Sequence, residues 1–143
     1  MRRREREVTD RSEMYDILSR CNTVRIGLFG EDYPYIVPVS FGLEVVADDV
    51  VVYFHCAKEG LKTELIQRNP NVCVEGDNYL KVEKTGHGIT TRYESVIGFG
   101  QCIAVEDQEE IEKGLDLILR HYGYMDYPLD RCKGINQLSM YKI

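Results

Sequence analysis

The chain has 143 residues, 43% of them apolar, with 18 basic against 24 acidic side chains and a net charge of −6. That length suits one domain over residues 1–143 with a real core, and no apolar stretch is long enough for a membrane helix. The acidic balance, with basic residues gathered in the first six positions, argues against a nucleic-acid groove and leaves a small molecule as the expected ligand.

In chain order, Met1-Arg2-Arg3-Arg4-Glu5-Arg6 has no apolar segment after it. Residues 1–8 therefore read as a solvated, flexible arm rather than an export signal, and a cytoplasmic location is the default expectation. Asp10 and Glu13 make a capping box, and Met14, Ile17, Leu18 and Cys21 recur at helical spacing, so a helix is predicted over about 11–20. Val24, Ile26 and Leu28 then alternate on one side of a strand, Gly30-Glu31-Asp32 turns, and Tyr35 to Leu43 returns as a second strand. Pro38 cannot donate to a ladder, which puts it on an edge, at a bulge, or facing something other than a strand.

Asp48-Asp49 turns the chain into Val50-Val51-Val52-Tyr53-Phe54, a run expected of a strand covered on both faces. Polar chemistry begins abruptly at His55. Gly60 opens a helix with Leu61, Leu65 and Ile66 on its apolar face, and Asn69-Pro70 stops it. Lys58 and Lys62 flank its first turn, where cations oppose the helix dipole unless an anion sits among the free amides. Two readings stay open here: solvated lysines with a tolerated dipole cost, or a phosphate site.

Val72 to Glu75 starts a further strand, residues 77–90 follow no clear period, and Gly86-His87-Gly88 suggests a loop in which His87 is solvated. Thr91 to Glu106 reads as one long strand. Tyr93, Ser95, Ile97, Phe99 and Gln101 share a face, the two aromatics being expected in the core rather than stacked on a ligand. Gly98 and Gly100 on the other face suggest a barrel corner or a close contact with another body. Arg92, opposite in direction to Tyr93, is either solvated or reaches across an interface. Asp107 and Glu110 cap a helix carrying Ile111, Leu115, Ile118 and Leu119, Gly123 ends it, and Gln137 to Ile143 forms a closing strand. The chain is thus mainly β with flanking helices, in the manner of an antiparallel barrel.

Cys21, Cys56, Cys73, Cys102 and Cys132 are odd in number and widely spaced. Reduced, mostly buried thiols are expected, and no metal site, since His55-Cys56 has no second pair to complete four ligands.

Five segments carry a resemblance: RREREVTD (3–10), YPYIVPVSFG (33–42), YFHCAKEGLK (53–62), RNP (68–70) and TTRYESVIGFGQ (90–101). With them the chain resembles the pyridoxamine-phosphate-oxidase-like flavin-binding split barrels, and among these it looks most like the nitroimidazole-resistance (Nim) proteins. The resemblance implies an FMN-binding split β-barrel that pairs as a homodimer with FMN in clefts between subunits. Lys62 matches the phosphate-binding lysine, with Lys58, Gly60 and the backbone at Ala57 completing a cradle. Pro38, Val39 and Ser40 match the segment beside the flavin ring, and Ser95 lies near the position of a flavin-contacting glutamine. His55 resembles a histidine near the flavin, either donating a proton and orienting an acceptor or only hydrogen-bonding phosphate or backbone.

The implied activity is reduction of an electron-poor small molecule, such as a 5-nitroimidazole, at the expense of a reduced donor. Rivals are a flavin-storing module without turnover, an F420-dependent protein, and a haem protein using His55, His87 or His121. Gly60-Leu61-Lys62 stands where true pyridoxamine phosphate oxidases have S-R-K. Arg131 to Ile143 also lacks their arginine- and histidine-rich motif, so vitamin B6 oxidation is not expected.

Overall fold

The computed structural model describes residues 3–47, 49–125, 127–129, 134 and 137–143. Of the positions named above, Met1, Arg2, Asp48, Arg131 and Cys132 lie outside the described residues. A single 3-10 turn, Arg4–Arg6, lies in the basic arm, and α1 (Arg11–Ser19) follows it. The Asp10 side chain caps α1 by accepting from the Ser12 amide at 2.9 Å. In β1 (Val24–Leu28) the alternating residues Val24, Ile26 and Leu28 are buried, and the strand pairs antiparallel with β2 (Tyr35–Val39).

The expected strand from Tyr35 to Leu43 proves to be two. Phe41 is fully buried where the chain turns inward, and β3 (Gly42–Val46) continues in a different sheet. Next comes β4 (Asp49–Ala57), whose centre at Val52, Tyr53 and Phe54 is buried on both faces as its composition predicts. Then follow α2 (Leu61–Arg68), β5 (Asn71–Thr85), β6 (Gly88–Gln101), β7 (Ile103–Val105), α3 (Gln108–His121) and β8 (Leu138–Lys142).

One sheet has the order β2-β1-β5-β6 and the other β3-β4-β8-β7. The chain passes between them at Ser40–Phe41, returns through α2 from β4 to β5, and crosses again at Cys102, so the predicted strand from 91 to 106 is also divided. There the buried Cys102 donates its amide to the Pro70 carbonyl at 2.8 Å. The two sheets form a barrel that does not close, with one core cluster between them and a second beneath α3. Pro38 lies on the edge strand β2 opposite Arg25, where its missing N–H costs no ladder bond.

Residues 77–90, which follow no clear period, belong to an extended hairpin whose turn falls at Gly86-His87. A bulge between Tyr79 and Lys81 shifts the register and hides the period-two pattern, while Glu83 bridges Lys81 and Arg92. Arg92 is therefore ion-paired rather than free. On β6, Tyr93 and Phe99 are 63% and 85% exposed, against the expectation that they fill the core. Gly98 meets nothing that a side chain would strike, whereas a Cβ at Gly100 would come 3.0 Å from the Ile143 side chain.

Asp107 caps α3 by accepting from the Glu110 amide at 2.9 Å. The helix lies directly on β3, because a Cβ at Gly42 would sit 2.6 Å from backbone atoms of Leu117 and Ile118. A polar clamp fixes the same helix to the sheet: the Tyr53 hydroxyl and the Lys142 ammonium donate to Glu110 at 3.0 and 2.6 Å.

Candidate functional site

The centre of the second sheet ends in a cleft of about 610 Å³. Its walls come from Pro38, Val39 and Ser40 at the end of β2, His55, Cys56 and Ala57 at the end of β4, and Lys62 in the first turn of α2. These positions are up to 24 residues apart in the chain, 38 to 62, and meet because β2 leaves the first sheet beside the point where β4 leaves the second. Six of the nine residues singled out from the sequence share this cleft.

Lys58 and Gly60 do not line it, but they form the turn from β4 into α2. Gly60 is the N-cap of α2 at φ +136°, a conformation that L side chains rarely adopt, and offers no side chain to the first-turn amides. Thr63, buried, donates its hydroxyl to the Gly60 carbonyl at 2.6 Å. Thr63 takes the inward position expected for Leu61, which is 52% exposed.

Among the described residues neither Lys58 nor Lys62 has a carboxylate partner, while nine other Lys and Arg side chains do. The Lys62 ammonium stands 5.7 Å from the centre of the Phe54 ring. Uncapped amides at the start of an eight-residue helix, with two uncompensated cations beside them, form an anion cradle. This chemistry fits a phosphate monoester such as the tail of FMN.

His55 remains solvent-accessible at the cleft mouth, and its pKa is lowered, chiefly by burial and secondly by Lys62. Its ring is held neutral near neutrality, able to donate from one nitrogen and accept at the other. Cys56 also lines the cleft and escaped the sequence reading, because a lone cysteine beside a histidine carries no spacing signal. Burial raises its pKa, and Lys62 partly offsets that.

Ser95 lies elsewhere in the chain, in a separate cavity against α1 and the arm. His87 occupies the β5–β6 turn, and among the described residues no metal-binding group of three or more ligands occurs. The Nε2 of His121 is 2.8 Å from the Cys21 carbonyl and its ring packs 4.2 Å from Phe41, so its fold role is already defined.

Two four-stranded sheets joined through strands that switch between them, with a helix start at the cleft, define the split-barrel class. The profile of the pyridoxamine 5'-phosphate oxidase family matches residues 10–138, and the chain belongs to that family. No curated protein sequence matches it.

Among solved structures it is similar to a candidate 5-nitroimidazole antibiotic resistance protein from Bacteroides thetaiotaomicron. That likeness has TM-score 0.83 and 28% identity, covering 94% of this chain and 79% of the other. An FAD- and haem-binding protein from Mycobacterium smegmatis shares the fold at TM-score 0.77 and 16% identity, with 96% and 67% covered. A flavocytochrome from Azotobacter vinelandii does so at TM-score 0.75 and 15% identity, covering 95% of this chain and 64% of that longer one. No helix among the described residues is long and apolar enough to cross a membrane.

Proposed function

We propose that this protein binds FMN and reduces small electron-poor molecules such as 5-nitroimidazoles, taking electrons from a reduced donor. The observation that carries the cofactor reading is the pair of unpartnered lysines at the uncapped start of α2. Lys62, with the α2 amides and Lys58, would hold the phosphate, and Gly60 leaves room for the backbone to approach it. Pro38, Val39 and Ser40 would lie along the ring system, where a proline needs no ladder partner.

A bound flavin supplies electron transfer in one- or two-electron steps, and the protein supplies position and electrostatics. His55, neutral at its lowered pKa, is the residue placed to hold or pass a proton to an acceptor in the cleft. The similarity to the Bacteroides protein supports the acceptor class.

A homodimer belongs to the same reading. The outer side of the first sheet and its β1–β2 turn expose Phe29, Tyr33, Ile36 and Phe99 around a concavity of about 820 Å³, and Ile97 is exposed on β6 near by. So large an apolar surface is ordinarily covered by a partner, and a second copy would bring Ser95 near the cofactor. The purified protein should show absorption bands near roughly 370 and 450 nm after FMN loading. Reduced and loaded, it should be reoxidised anaerobically by a nitroimidazole. A Soret band instead would sink the flavin reading, and failure with every nitroaromatic would sink only the reductase.

A further inference from the structure

We propose that the barrel interior beneath Gly98 is a binding site for a small uncharged hydrocarbon about the size of benzene. A crevice of about 120 Å³ lies there, bounded by Leu18 of α1, Val52 of β4, Val74 of β5, Val96 and Gly98 of β6, and Ile143 after β8. Only apolar residues line it, and Leu18, Val52 and Val74 are buried. Val96 and Ile143 are half-buried, so the crevice has a way in from solvent. It shares no residue with the Lys62 cleft.

The glycine itself points to the open space. Successive residues of a strand face opposite ways, so Val96, Gly98 and Gly100 turn into the barrel while Ser95, Ile97 and Phe99 turn out. The crevice is therefore on the other side of β6 from Ser95 and from the surface a second copy would cover. Gly98 pairs with the buried Val74, yet a Cβ built on it meets nothing within 4 Å. Glycine weakens a strand, and here neither a positive φ nor a close approach requires it. The missing side chain leaves a void. Its lining selects the ligand, because a hydroxyl, amine or carboxylate placed there would lose its bonds to water and find no side-chain partner. Apolar cavities of roughly 150 Å³ stay dry and take benzene or xenon, and this one is close to that size. Burial of apolar surface supplies the attraction.

Titration of the full chain with benzene, followed by proton NMR, tests this. Saturable binding at millimolar concentration is expected, with nuclear Overhauser contacts from benzene to the methyl groups of Val52 and Val74. The thermal midpoint should rise as benzene is added. Phenol, the same ring with a hydroxyl left unpaired, should bind about tenfold or more weakly. Gly98→Val puts a branched side chain suited to a strand into the space and should abolish benzene binding while the protein stays folded. Lys62→Glu should leave that binding unchanged. Absence of saturable binding, equal affinity for phenol, or full binding in Gly98→Val would each overturn the proposal. So would contacts to Phe29 or Tyr33 on the outer face, or loss of binding in Lys62→Glu, either of which would move the ligand elsewhere. The contacts are read on the wild-type chain and decide the matter even where a variant fails to fold. FMN binding through Lys62 is measured separately and stands or falls without it.

Discussion

At the scale of single residues, the cleft depends on charges that the chain itself leaves unanswered. Lys62→Glu puts like charge against a phosphate and removes a charge-assisted contact, so FMN affinity should fall by at least about tenfold in a fluorescence titration. Equal affinity in wild type and variant would mean the phosphate sits elsewhere. His55 offers a pH test. Its folded pKa lies below the usual value near 6.5, so the folded protein binds this proton less readily than the unfolded chain. The stability it contributes is complete above that usual value and drains away as pH falls through the folded one. His55→Gln should therefore flatten the decline in urea midpoint between about pH 7 and 5, and an undiminished decline would assign it to other groups. Cys102, pushed up to about 12 by burial, should resist alkylation in the native protein, and Cys56, which lines the cleft, should react before it.

At the scale of elements, α2 and α3 are held by different physics. The entry to α2 relies on backbone freedom: Gly60 at φ +136° suits glycine, and Gly60→Ala adds strain even though no atom lies within 4 Å of the new Cβ. That variant should lower FMN affinity more than its modest loss of stability explains, as measured by titration beside thermal unfolding. Helix α3 relies on a polar clamp. Tyr53 is buried to 2% exposure and donates to Glu110, and burial with that carboxylate raises its pKa. Tyr53→Phe should cost ~1–2 kcal/mol in urea unfolding while leaving the secondary-structure spectrum unchanged. The hairpin of β5 and β6 escaped the sequence reading because its bulge at residue 80 breaks the alternation that marks a strand.

At the scale of the whole molecule, the apolar outer face of the first sheet is the feature a lone chain leaves open. Phe99, 85% exposed, sits on that face opposite Cys73 of β5. Phe99→Glu should shift a dimer to monomer in sedimentation with little loss of folded signal, since the side chain contributes almost nothing to the core. An unchanged mass would remove this face from any subunit contact. If FMN affinity falls along with the dimer, the cofactor draws on both copies.

Much of the local order was legible in the chain. Alternation at Val24, Ile26 and Leu28, caps at Asp10 and Asp107, the proline on an edge strand and the lysines at a glycine-opened helix follow from short-range sterics and electrostatics. Most of the cleft's residues, Pro38, Val39, Ser40 and Ala57 among them, were named by the resemblance to the split barrels, and Lys62 also by its place at a helix start. Only the tertiary structure decided that Phe41 and Cys102 are corners where strands change sheets. The same holds for Thr63, which points inward in place of Leu61, and for Tyr93 and Phe99, which face outward. An apolar residue looks alike in sequence whether it fills a core or waits for a partner. Which it does depends on the surface that long-range pairing brings opposite it, and periodicity within a strand carries no record of that.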